Sequence, residues 1–214
     1  MDIKSIKTGK VNYLEKLDAD LYWGTDFAGG DLYEAEEVYK MQGHANSNRL
    51  IFVSMKDGKV FEPATAGPGQ YFGRPVVFEG RIYLLLVDFA EKKINILVCA
   101  EDLSSASVHA SLSLNEVPDC YNLMLDTAPL TLVRQGAENK FQVVWPEKGE
   151  FAIDPAESFD FRDQDTLVFS KWFEDPDYRE VTVLRKYPSG EFIEELPGPV
   201  MTAEDGQRWL LSQE

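Results

Sequence analysis

The stretch "GRPVVFEGRIYLLLVDFAEKKINILVCAED" (73–102) sets three short apolar runs between two polar breaks. Runs of this length, rich in Val, Ile, Leu and Tyr and bounded by Gly or charged residues, read as β-strands rather than helices. "RPVVF" is a strand, "EG" a tight turn, "RIYLLLVDF" a second strand, "AEKK" a turn and "INILVCA" a third strand. The alternating "SVHASLSL" (107–114) adds a fourth, which makes an antiparallel meander. Successive strand residues face opposite sides, so Ile82, Leu84 and Leu86 share one face and Tyr83, Leu85 and Val87 the other. Both sets are apolar, which predicts a central strand covered on both faces.

The pattern recurs. Strand–turn–strand segments begin at 49 ("RLIFVSMKDGKVFEP"), 81, 130 ("LTLVRQGAENKFQVVW"), 166 ("TLVFSKWFEDPDYREVTVLRKY") and 208 ("RWLLSQE"). Most are flanked by a further short run, such as "NLMLD", "SFDF", "EFAIDP" and "EFIEEL". Four short strands in a module of about 40 residues are the signature of a β-propeller blade. The fold class expected is therefore all-β, built of antiparallel four-stranded meanders in a propeller-like ring of four or five blades. The C-terminal "PVMTAEDGQRWLLS" starts a module that "GKVNYLEKLDADLYWG" (9–24) could complete, closing the ring with N- and C-terminal strands. The alternative is a β-sandwich of two stacked antiparallel sheets, which also turns every 8–12 residues or so. One segment, "DLYEAEEVYKMQG" (31–43), carries Leu32, Ala35, Val38 and Tyr39 at helical spacing before a glycine, and reads as a short helix or irregular segment.

A length of 214 residues suits a single all-β domain over 1–214. Thirteen Phe, nine Tyr and four Trp provide core-forming surface that a disordered chain lacks. The net charge of −16 repels phosphate backbones and anionic lipid, so neither nucleic acid nor a membrane surface is expected as a partner. The N-terminal twenty residues lack the apolar core of a secretory signal, and "YLLLV" (83–87) is far short of a membrane span. A cytoplasmic location is expected, with a processed secreted form as the alternative, and a monomer or weak oligomer. Cys99 ends a strand-like run and Cys120 lies in the turn-like "PDCYN"; buried, inert thiols are the preferred reading over a Cys99–Cys120 bridge.

Catalytic signatures are sparse. His44 and His109 lie far apart without a cysteine pair, so no metal site is expected. There is no "GxSxG" elbow, and the glycines of "FAGGD" and "AGPGQYFG" match no nucleotide-binding loop, so no cofactor is expected. The most unusual stretch is "DLYWGTDFAGGDLY" (20–33). Aromatics beside carboxylates can stack on a sugar ring while binding its hydroxyls, or can form a hydrophobic plug under a loop. The plug is preferred; as a ligand platform the residues are Trp23, Asp26, Asp31 and Tyr33, with Trp172 offering the same choice. The function expected is a non-catalytic binding or interaction module for a protein or small molecule. The alternative is a carbohydrate hydrolase using carboxylates near Asp26, Asp31 and Asp165.

Overall fold

The computed structural model describes residues 3–26, 30–203 and 206–212. The chain is all-β, 49% strand with one short helix, in several antiparallel sheets. It divides into two compact units, residues 1–125 and 126–214. No helix among the described residues is long and apolar enough to cross a membrane.

The first sheet of the first unit has the order β1-β2-β3-β4: Glu15–Asp18, Leu21–Thr25, Leu50–Ser54 and Val60–Phe61. The helix α1, Leu32–Gln42, is inserted between β2 and β3. Asp31 starts it through a capping box with Glu34, and Gly43 ends it in the left-handed conformation at φ 72. That conformation is nearly free for glycine and strained for other residues.

The second sheet contains β5 (Gln70–Phe72), β6 (Val76–Phe78), β7 (Arg81–Asp88), β8 (Lys93–Cys99) and β9 (Ala106–Ser113). Its order is β5-β7-β8-β9, and β6 also pairs with β7. β5 lies opposite Leu86–Asp88, and β6 opposite Arg81–Tyr83. β7 is buried along its length from Ile82 to Asp88, as its two apolar faces require.

Trp23, Leu50 and Phe52 of the first sheet pack with Phe72, Leu84, Leu86 and Leu97 of the second. The opposite face of β3, Ile51 and Val53, is covered by Val11 with Ile6 and Leu14. This N-terminal segment lies so close to β2 that a Cβ on Gly24 would sit 2.5 Å from the Tyr13 carbonyl oxygen. Buried Asn48 joins the two sheets. Its amide donates to Thr25 Oγ1 and the Phe72 carbonyl, and its Oδ1 accepts from the Phe72 N–H at 2.7 Å.

The next strand, β10 (Leu123–Thr127), contains the boundary between the units. It opens the meander β10-β11-β12-β13, whose other strands are Leu130–Gly136, Lys140–Trp145 and Gly149–Ala152. A second meander, β14-β15-β16-β17, comprises Glu157–Asp163, Thr166–Phe173, Arg179–Lys186 and Phe192–Leu196. The cross-strand pairs Phe141–Phe151 and Phe159–Phe169 meet in one aromatic cluster between these sheets, with Phe141 and Phe159 centroids 4.8 Å apart. Beside it, buried Glu157 accepts from Nη2 of Arg185 at 3.0 Å on both oxygens. A two-stranded hairpin, β18 (Val200–Thr202) and β19 (Arg208–Leu210), follows.

The hairpins expected at 49, 81, 130 and 166 are all present. The terminal strands differ from expectation: Glu15 and Lys16 pair with Trp23 and Tyr22, and Arg208 pairs with Thr202. Each fragment finds its partner across a short connection, where loop closure costs least entropy.

Candidate functional site

The first unit carries a cavity of about 340 Å³, within the usual range for small-molecule sites. It sits beside the seam sealed by Asn48. The end of β2 gives it Trp23 and Thr25, the start of α1 gives Asp31 and Tyr33, and β5 with its following loop gives Tyr71 and Arg74. The segment before β10 adds Cys120 and Tyr121.

The walls are held from several directions. Tyr33 and Tyr121 meet edge to face at 5.3 Å, a favoured aromatic geometry. The Tyr71 hydroxyl donates to the Gly30 carbonyl. Glu36, buried on α1, accepts from the Cys120 N–H at 2.7 Å and pairs with Lys40 at 3.2 Å. Arg74 is ion-paired with Glu15 at 2.9 Å, and its guanidinium carbon lies 6.0 Å from the Trp23 ring centroid. The cavity thus combines three tyrosines, a tryptophan, a salt-bridged cation and two carboxylates, Glu15 and Asp31.

Three of the five residues expected as ligand contacts come together here: Trp23, Asp31 and Tyr33. Trp23 is only 6% exposed and belongs to the core, so it plugs the sheet seam and lines the cavity at once. Its buried indole N–H has no hydrogen-bond partner among the described residues. Asp31 Oδ1 accepts from Glu34 N–H as the helix cap. Asp26 is occupied structurally, since its Oδ1 accepts from Arg49 N–H at 2.9 Å. Trp172 and Asp165 belong to the second unit. Trp172 is 43% exposed on β15, opposite Glu180. The Asp165 carbonyl accepts from Tyr187 N–H.

Of the three carboxylates envisaged for hydrolysis, Asp26 and Asp31 each accept from a backbone N–H, a structural duty that stabilises a turn and a helix end. The residues sequence reasoning missed are Tyr71, Arg74 and Tyr121. Tyr71 stands in "AGPGQYFG", where the glycines signal turns and hide the three-residue strand β5. Tyr121 carries no local signal, because only tertiary packing brings it to Tyr33.

Both cysteines are free and buried. Burial pushes the Cys99 thiol up to about 11. The Cys120 thiol is pushed higher still, first by burial and then by Glu36. Neither is activated as a nucleophile, which requires a lowered value. Among the described residues no three His, Cys, Asp or Glu side chains gather as metal ligands.

No protein-family model matches the chain, and no curated protein matches it in sequence.

Proposed function

We propose that this chain is a non-catalytic binding module whose first unit takes a small molecule into the cavity between Trp23, Tyr33, Tyr71, Arg74 and Tyr121. The observation that carries the reading is the convergence of these side chains on one concave site from four separate chain segments. Aromatic walls with a few placed polar groups are the usual make-up of small-molecule pockets. Consecutive four-stranded meanders further support a propeller-like succession of blades, a scaffold that commonly presents its loops to partners.

The test is a solution NMR titration of the full chain with neutral mono- and disaccharides, followed on the tyrosine rings and on the four tryptophan indole signals. Saturable shifts at Tyr33, Tyr121 and Trp23, weakened by Tyr33→Ala and Arg74→Ala, are the expected outcome. Saturable binding that both variants leave intact would move the ligand out of this cavity. Ligands of other chemistry acting on the same signals would keep the site and change its ligand class.

A further inference from the structure

A second surface lies wholly within the second unit. A groove of about 470 Å³ is lined by Glu180 and Val181 of β16, Glu195 and Leu196 of β17, the loop through Pro199, and Leu211. Tyr178 and Leu211 of its lining are exposed, and Trp172 on β15, Phe192 on β17, Met201 on β18 and Trp209 on β19 are exposed elsewhere in the unit. Where such side chains adjoin a groove they offer apolar surface to a partner.

The charge around the groove is mostly negative. Residues 174–195 hold seven acids, Glu174, Asp175, Asp177, Glu180, Glu191, Glu194 and Glu195. The stretch also holds three cations, Arg179, Arg185 and Lys186, of which Arg179 lines the groove itself. Arg185 pairs with buried Glu157, and Arg179 stacks over Phe173 with its guanidinium carbon 4.4 Å from the ring centroid. Strand alternation places Trp172 and Ser170 on one face of β15, and Glu180 lies directly opposite Trp172 on β16. Ser170 Oγ donates to Asp160 Oδ1 at 3.1 Å, so a second carboxylate is held on the same face.

We infer that this face docks an extended, basic protein segment, with a lysine or arginine over the Trp172 ring between Asp160 and Glu180 and apolar side chains in the groove. An indole face flanked by carboxylates is a strong cation acceptor. The edge position of β17 in its sheet suits an extended occupant, which can add main-chain hydrogen bonds there. Charge complementarity favours a basic protein partner over a second copy of this chain, because a second copy would bring another 16 net negative charges to the same surface. The Asp160 carboxyl is held above its ordinary value first by partial desolvation and also by the charge of Glu180; a cation bound beside it favours the ionised form.

The probe is a fluorescein-labelled peptide of alternating lysine and leucine, titrated with the full chain and read by anisotropy. Its glutamate–leucine counterpart is the control peptide, and Glu91→Gln, an exposed acid in the first unit, is the control variant. Trp172→Ala and Glu180→Gln are each expected to weaken the lysine peptide by at least about fivefold, and Glu91→Gln to leave it unchanged. Glu180→Lys should lose the lysine peptide and gain the glutamate one, a switch that misfolding does not produce. Affinity that is equal in all variants, or no binding at about 1 mM protein, overturns the inference. So does a dimer in sedimentation that Trp172→Ala dissolves, since the face would then belong to a second copy.

Discussion

The two faces of β7 should respond differently to the same truncation. Leu84 and Leu85 are both fully buried. Leu84 packs within a cluster of long side chains, including Leu50, Phe52, Leu86 and Leu97. Leu85, on the opposite face, lies against the backbone of Gly73. A Cβ built on Gly73 would be 3.0 Å from Leu85 Cδ2 and 3.4 Å from its Cβ. The Gly73 N–H also donates to the Leu85 carbonyl at 2.9 Å, which fixes that backbone in place.

Removing three buried carbons costs about 2.4 kcal/mol in transfer free energy at about 0.8 per methylene. A cavity term of about 24 cal/mol per Å³ of unfilled space is added. The side chains around Leu84 can relax into the void, so Leu84→Ala should cost about 2–3 kcal/mol. Gly73 has no side chain to move, so the void in Leu85→Ala stays open and the cost should reach about 3–5 kcal/mol. Gly73→Ala alone should cost about 1–3 kcal/mol by overpacking against Leu85 Cδ2. In the Leu85→Ala background that atom is gone and the remaining 3.4 Å approach to Cβ is close to ordinary contact. The double variant should therefore be less destabilised than the sum of the singles by about 1–2 kcal/mol. Native-state hydrogen exchange of β7 and β8 amides in urea measures these differences in the first unit alone. Additivity within about 0.5 kcal/mol, or a Leu85→Ala cost below about 1 kcal/mol, refutes the packing on that face.

Other outcomes follow from the same geometry. Glu157→Gln should destabilise the second unit by about 3–5 kcal/mol, because it strands the Arg185 charge; replacing both residues by apolar ones of similar size should cost much less, and equal costs would refute the account. The Asp57 carboxyl is held at about 2 by hydrogen bonds from the Ser54 side chain and then from Lys59. Its folded value is below the unfolded one, so its contribution is complete above about pH 4 and is lost as the pH falls through about 2; an NMR titration midpoint near 3.8 would contradict this. Cys99 and Cys120 should resist a thiol reagent at pH 8 in the native chain and react on unfolding, and rapid native labelling of either would show that it is reached by solvent.

The hairpins were legible because strand signals are local. An apolar run, a polar turn and a second apolar run name β7–β8, β11–β12 and β15–β16 without knowledge of anything distant. The helix was partly legible, through Leu32, Ala35, Val38 and Tyr39 at helical spacing before Gly43, a stretch that read equally as irregular; the Asp31–Glu34 cap emerged with the structure. The order of the second sheet was not legible. β5 is three residues long and buried among glycines, and it pairs with the far end of β7, on the same edge as β6. Nothing in "GQYF" distinguishes that strand from a turn, since its hydrogen bonds come from residues 86–88. The cavity was half legible: the aromatic and acidic density of 20–33 pointed to Trp23, Asp31 and Tyr33, while Tyr121 arrives through the fold alone.

The same division explains where the cavity forms. Two sheets can share a core where both present apolar faces, and beside that core stand the buried polar side chains of Thr25 and Asn48. There the side chain of Asn48 replaces a missing strand, serving both the N–H and the carbonyl of Phe72. Next to it α1 and the segment before β10 contribute Tyr33 and Tyr121, which meet edge to face. A seam closed by side chains rather than by strands leaves space between them. Trp23 belongs to both sides of this boundary, as a member of the core and as a residue of the cavity wall. A ligand held there would be bound only by the folded first unit, and would stabilise it by about 2.7 kcal/mol at one hundred times its dissociation constant. Were the proposed ligand to bind there, the protection of β7 amides would rise with its concentration, and protection unchanged at saturation would uncouple the cavity from the core.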